Sequence, residues 1–369
     1  MEPIITQSEI KEKERRAREL LKRKNLASLA FSTQANFAWA TCGKDNHVGI
    51  ATELGSSTAL ITSDRKYIVC DNIEACRILD EEVSGLGFEV VSYNWYEGSL
   101  ADKLRELTGS GSIGADTPIQ DTNPIEADFA PYRCSLTPEE VERYRMLGKN
   151  AGECMNAACR ALKPGMTEYG IAAMLASGIF ERGMIPTLIL VATDERISKY
   201  RHPIPTGKQL ERYAMLVIGV KRWGLIISMT RLVHFDRLPF ELRSKHDSVA
   251  YVDATFIANT RPGADVADIF NKGVAEYSSQ GFGEEWQLHH QGGPTGYKGR
   301  DYRAGAQTHN IVAQNQAFAW NPSITGTKSE DTIIATVNGP LIISAIEDWP
   351  TVKTPVGGLL LTRPDILLL

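Results

Sequence analysis

The sequence predicts a small α/β domain over residues 1–134 followed by a larger α+β domain over residues 135–369. Three observations carry this. The chain has 369 residues, and at about 150 residues per domain one core is too few. Up to Cys134, short apolar runs alternate with amphipathic ones, the texture of strands separated by helices. Beyond Cys134 the helical stretches come grouped and the last third is mostly extended, which argues for helices carrying an antiparallel-rich sheet.

The elements follow in order. "SEIKEKERRARELLKRKNL" is a helix with Leu20, Leu21 and Leu26 on its core face, and its basic residues form a solvated side. "ASLAFS" is a strand, and "STALITSD" pairs with "KYIVCD" through a turn at Ser63–Asp64. "EACRILDEEVSGLG" is helical, "FEVVSYNW" extended, "SLADKLRELTG" helical and "GSIGAD" extended. After the boundary, Ser135 or Thr137 caps a long helix whose first turn holds Pro138, Glu139 and Glu140. A second helix, "TEYGIAAMLASGIFERG", precedes extended runs at "TLILVAT", "YAMLVIGVKR" and "GLIISMTRLVHF". Helices are expected from about Pro239 to Ala258 and from Ala264 to Gln280, with "TRPG" opening the latter. "QAFAWNPSI", "SEDTIIATV", "PLIISA" and the tail "GLLLTRPDILLL" are extended, the tail as a last core strand.

Composition narrows the function. With 43% hydrophobic and 23% charged residues, the chain is an ordinary soluble globular protein. A net charge of −5 with no dominant basic face gives no reason to expect nucleic acid. The start, "MEPIITQSEIKEKERR", is charged where a secretory signal would be apolar, and no run is long enough for a bilayer. The expectation is a cytoplasmic protein without a membrane partner. Its six cysteines include no C-x-x-C pair, so reduced, mostly buried thiols are expected. Neither Cys154 nor Cys159 has a histidine nearby in sequence, which argues against a cysteine nucleophile.

Chemistry concentrates in six short pieces of the second domain. "DERISKYRHPIPTGK" holds His202 in a loop, and "KRWGLIISMTR" is a hairpin ending in Thr230-Arg231. "HHQGGPTGYKGRD" holds His289, His290, Tyr297 and Arg300, "AFAWNP" ends on Asn321-Pro322, "KSEDTI" holds Glu330-Asp331, and "TRPG" is the sixth. Each alone is weak: a lone histidine beside a proline is usually a loop residue with one hydrogen bond. Adjacent histidines in an extended chain point to opposite faces, so one of His289 and His290 is expected in a given site. Glu330 and Asp331 alternate likewise, leaving one of them solvated.

The order and spacing of these pieces resemble the creatinase / aminopeptidase P / prolidase family over essentially the whole chain. "RARELLKRKNLASLAFSTQANFAWATCG" is similar to that family's opening, and "TPEEVERYRMLGKNAGECM" to its interdomain helix. "RHPIP", "WGLIISMTR", "HHQGG", "AFAWNP" and "SEDTI" resemble its site motifs in order. The resemblance implies a creatinase/prolidase-like N-terminal domain, a pita-bread C-terminal domain and a homodimer.

The departures bear on function. The peptidase members hold two metal ions with two aspartates, a histidine and two glutamates. In this chain those positions fall on Val217, Ser228, His289 or His290, Asn321 and Glu330. Two divalent ions need bridging carboxylates, which valine and serine cannot supply; Asp194 or His234 moving in is the remaining route to a single metal. No metal and no cofactor are expected. Creatinase is a metal-free member, and "HHQG…GRD" resembles its turn. This makes Arg300 the counterpart of its carboxylate-holding arginine and His202 that of its acid/base histidine.

The expectation is therefore a metal-independent hydrolase, or lyase, acting on a C–N or similar bond of a small molecule or short peptide bearing a carboxylate. His202 is the base, with His289, His290 and Glu330 in the catalytic group. Arg300, Tyr297, Thr230 and Asn321 bind substrate, Asn321 and Thr230 as donors to an oxyanion. The alternatives are a non-catalytic pseudo-peptidase that binds peptide or protein, and a true Xaa-Pro metallopeptidase.

Overall fold

In the computed structural model, which describes residues 5–369, the first helix runs over Gln7–Lys24. Thr6 caps it by accepting from the Glu9 amide at 3.1 Å, and Asn25 ends it in the left-handed conformation. The chain then divides into two units. One takes in the chain up to Glu140 with Trp223–Leu225, and the other Val141–Arg222 with Ile226–Leu369.

The first unit is built on strands β1 (Ser28–Thr33), β2 (Leu54–Thr62), β3 (Lys66–Asp71), β4 (Glu89–Tyr93), β5 (Ile113–Ala115) and β6 (Thr122–Pro124), in the spatial order β4-β3-β2-β1-β5-β6. β1, β2 and β3 pair antiparallel, and the outer strands join in parallel. Ala30, Leu60, Val69, Leu104 and Ile113 form one buried face, the outcome of alternating apolar residues on short strands. "EACRILDEEVSGLG" is less regular than expected: one α-turn, Ala75–Arg77, passes into a π-helical stretch, Ile78–Val83. The Thr137 hydroxyl accepts from the Glu140 amide at 3.2 Å, while the Glu140 carboxylate accepts from the Thr137 amide at 2.7 Å. This reciprocal box starts the helix Pro138–Arg160.

The second unit has two four-stranded sheets. Strands β7 (Ile185–Thr193), β8 (Tyr213–Arg222) and β9 (Leu225–His234) form one, with tail strand β18 (Leu367–Leu368) in parallel on β9. The other runs β10-β11-β14-β15, all antiparallel, from β10 (Gly292–Thr295), β11 (Gln316–Trp320), β14 (Asp331–Thr336) and β15 (Gly339–Ile342). Two short pairs, β12 (Ser323–Ile324) with β13 (Thr327–Lys328) and β16 (Thr351–Val356) with β17 (Leu359–Pro364), complete the strands. The helices Phe240–Asn259 and Val266–Ser279 cover the second sheet, with Phe256 stacked on Trp320 at 4.6 Å. The mixture is the α/β plus pita-bread α+β architecture expected.

Two expectations fail. "TRPG" does not open a helix: Asp265 caps the helix at Val266, and Thr260 binds back to the Phe256 carbonyl and accepts from the Trp320 indole. The tail is only partly core, because Ile366 and Leu367 are buried while Leu360 and Leu368 are exposed. Four of the six cysteines are buried and all are free, but Cys76 is exposed.

Candidate active site

Three loops and strand ends of the second unit converge on an imidazole cluster. His202 is exposed, in the loop after the short helix Glu195–Lys199. His289 and His290 lie between a 3-10 turn, Glu285–Leu288, and β10. His202 Nε2 stands 3.2 Å from His289 Nε2, and the ring centre of His202 lies 4.9 Å from that of His289 and 5.8 Å from that of His290. Both histidines therefore join His202, where one was expected. Strand alternation does not apply to them, since the regular strand begins only at Gly292. Gly292 and Gly293 are required: at φ +105° and +148°, a Cβ would fall 2.2 Å from the Ala319 carbonyl oxygen and 2.5 Å from that of Tyr302.

The 3.2 Å contact constrains the protons. Two neutral imidazoles can share it only if one ring donates and the other accepts. His289 Nδ1 lies 3.3 Å from Ser323 Oγ. If His202 donates from Nε2, His289 accepts there and keeps its own proton on Nδ1 toward Ser323. That assignment leaves a free lone pair on His202 Nδ1; in the reverse, the lone pair of His202 Nε2 is engaged by His289 and Nδ1 carries the proton.

Fixed cations surround the imidazoles. Burial and then the Lys328 ammonium push His289 down to about 2. Burial, then Arg300 and Arg303, push His290 down to about 4. His202 is lowered by burial and Lys328, with Glu330 opposing. All three rings are thus neutral at about pH 7. Lys328 is the residue that sequence reading missed: it is buried, and its ammonium lies 2.7 Å from the Glu330 carboxylate. Its signal was present, because residues two apart in extended chain share a face. Arg303, exposed and close enough for its charge to act on His202 and His290, was missed as well.

The other expected residues fall as follows. Glu330 is buried and accepts from Thr230 Oγ1 at 2.5 Å as well as from Lys328. Burial opposes its ionisation, but these two partners hold its carboxyl below the usual range. The Thr230 hydroxyl thereby donates its hydrogen bond to Glu330, so Thr230 holds that carboxylate and is not a free oxyanion donor. Asp331 is not solvated either: it is buried between Arg231 at 2.9 Å and Arg363 at 2.6 Å. Arg300 donates from one nitrogen to the Gly293 and Ala319 carbonyls at 3.0 and 2.9 Å, tying β10 to β11. Asn321 is buried beside Gln291, whose carbonyl accepts from its amide at 3.1 Å, and its side-chain oxygen has no partner. Tyr297 is buried in the turn after β10. Asp194 and His234 stay out of the site. The Asp194 carboxylate accepts from the amides of Glu211, Arg212 and Tyr213, and His234 meets the Asp236 carbonyl.

The sequence pattern of metallopeptidase family M24 matches residues 142–337. The chain belongs to this family. Among curated relatives, an uncharacterized peptidase of Staphylococcus saprophyticus is 23% identical over 233 residues, a match spanning 60% of this chain and 65% of that protein, just under two thirds. Among solved structures, the Xaa-Pro dipeptidase from Bacillus anthracis superposes with a TM-score of 0.77 at 17% identity, covering 98% of this chain and 100% of that one. The prolidase from Pyrococcus horikoshii OT3 gives the same TM-score and identity over 91% of this chain and 99% of that one. These likenesses show the M24 fold.

An M24 metallopeptidase implies metal, and the donors in this chain do not fit a metal pair. Val217 packs in an apolar cluster with Leu190, Met215 and Leu232. Ser228 is tied to Thr332 through both its amide and its carbonyl. Asn321 offers a neutral amide, and Glu330 is already held by a lysine. What remains by donor type is a set for one ion, the nitrogens of His202, His289 and His290, which lie within 4.8 Å of one another.

Proposed function

We propose that this M24 chain cleaves a C–N bond in a small carboxylate-bearing molecule without a metal ion, with His202 as the general base. The observation that carries the reading is the 3.2 Å contact between His202 and His289, in a cluster kept neutral by burial and neighbouring cations. His202 Nδ1 takes a proton from water as the water oxygen attacks the substrate carbon, and returns it to the leaving nitrogen when the C–N bond breaks. The Asn321 side-chain NH₂ is the donor we assign to a developing oxyanion. Arg300, Arg303 and Lys328 give the site a positive field that favours an anionic substrate.

The test is turnover in EDTA on a panel of N-acyl amino acids, ureido acids and proline dipeptides. His202→Ala is expected to abolish turnover, by at least about a hundredfold for a general base, with an unchanged circular dichroism spectrum. Turnover that survives the substitution removes His202 from this role. A second reading, cleavage of a prolyl dipeptide with a single ion on the three imidazoles, is favoured by their 4.8 Å clustering. It requires activity that EDTA abolishes and metal restores.

A further inference from the structure

The metal-free reading leaves open what supplies positive charge where family relatives use metal. Lys328 is 5% exposed, and burial of an ammonium is costly unless it is paired. Its pair is Glu330, at 2.7 Å, the one carboxylate left of the family's metal-binding positions. That carboxylate is itself fixed by Thr230. An ammonium has three donor hydrogens, and Glu330 is the single partner formed by Lys328 among the described residues. Two donors are therefore uncommitted in a site lined by three neutral imidazoles.

Lys328 pairs across β12 and β13 with Ser323, whose hydroxyl lies 3.3 Å from His289 Nδ1, so a divalent ion at those imidazoles would be repelled by the lysine charge. It would also need nitrogens about 3.3 Å apart for tetrahedral binding at about 2.0–2.1 Å. The present spread of up to 4.8 Å is within reach of small ring rotations. Charge, more than geometry, is thus the obstacle. The same charge is an attraction for a carboxylate, and exposed Arg303 adds a second cation on the solvent side.

We propose that the Lys328 ammonium, held by Glu330 beside His202, His289 and His290, stands in for the family's metal charge and makes this a carboxylate-binding site that excludes divalent cations. The proposal rests on the metal-free reading above and assigns its substrate-binding cation.

The experiment compares the full-length chain with Lys328→Met and Lys328→Arg in two titrations. Cobalt(II) is followed by visible absorption, and acetate, the probe for a carboxylate, by histidine side-chain NMR shifts. The wild type is expected to bind acetate and no stoichiometric cobalt. Lys328→Met should bind one cobalt per chain at least about a hundredfold more tightly than wild type and lose acetate binding by about tenfold or more. Lys328→Arg should keep the wild-type pattern. Should Lys328→Met misfold by leaving Glu330 unpaired, Lys328→Met/Glu330→Gln removes the pair together and is titrated instead. Stoichiometric cobalt in the wild type overturns the proposal, as does a folded methionine variant in which either change is missing. Neither titration reads turnover, so a folded methionine variant in which either change is missing leaves His202 as base standing, failure of His202→Ala leaves the role of Lys328 standing, and stoichiometric cobalt in the wild type removes both readings together.

Discussion

His202 Nε2 and His289 Nε2 face each other at 3.2 Å, so His202 has a free basic nitrogen only while it donates the hydrogen bond and His289 accepts it. The pH dependence of the proposed reaction follows. Burial and Lys328 lower the His202 pKa, so the acid limb of kcat/KM is expected below about 6.5, the ordinary imidazole value. Replacing Lys328 by Met should move that limb upward. A limb at or above the ordinary value, unmoved by the substitution, would place the base elsewhere.

Stability should fall with acidity, and His289 should be a cause. Its folded pKa, about 2, lies below the unfolded value of about 6.5. Above the unfolded value both states are neutral and the fold carries no penalty. As pH falls from about 6.5 toward 2, the unfolded chain binds a proton that the folded chain resists, and stability is lost. Urea midpoints measured between about pH 7 and 5 should decline less steeply in His289→Gln than in the wild type. Parallel declines would show that His289 does not titrate as its burial implies.

Gly292→Ala should damage fold and site together. The residue sits at φ +105°, and its Cβ would lie 2.2 Å from the Ala319 carbonyl oxygen, so β10 must separate from β11. A loss of about 1–3 kcal/mol from backbone strain is expected. The weakened 3.2 Å imidazole contact should appear as altered histidine NMR shifts. An alanine variant with unchanged stability would contradict the close approach of β10 to β11.

Behind Glu330 lies a buried charge network. Asp331 is paired with Arg231 and Arg363, and Arg363 also meets Asp253 at 2.6 Å. Removing one member leaves uncompensated charge, so Asp331→Asn should cost about 3–5 kcal/mol in chemical denaturation. A cost below about 1 kcal/mol would mean that solvent reaches the network.

Much of this was legible in the sequence, and the remainder has physical reasons. The helix start at Thr137 was readable because capping is local, Thr137 with Glu140 being a short-range box, whereas the cap at Asp265 was misplaced onto "TRPG". Most strands of the second unit were readable from their apolar runs, but Gly292–Thr295 and Thr351–Val356, which lack such runs, were not. His202, His289, His290 and Glu330 were found because imidazole and carboxylate carry their chemistry in their identity. Their partners were not, because pairing is tertiary: Lys328 reads as a surface lysine until burial against Glu330 is known. Thr230 reads as a donor to substrate until its proton is seen committed to that same carboxylate. Both histidines enter the site because the chain at 289–291 is not a regular strand, a turn that side-chain alternation cannot reveal.

Every catalytic role proposed for this site depends on its working without metal. Elemental analysis of protein purified without chelator, beside cleavage of proline dipeptides with and without EDTA, decides that point. A metal-free site predicts well below one transition-metal ion per chain and no chelator-sensitive cleavage. One or two ions per chain with cleavage that EDTA abolishes would contradict it and make this a metallopeptidase in activity as well as in family.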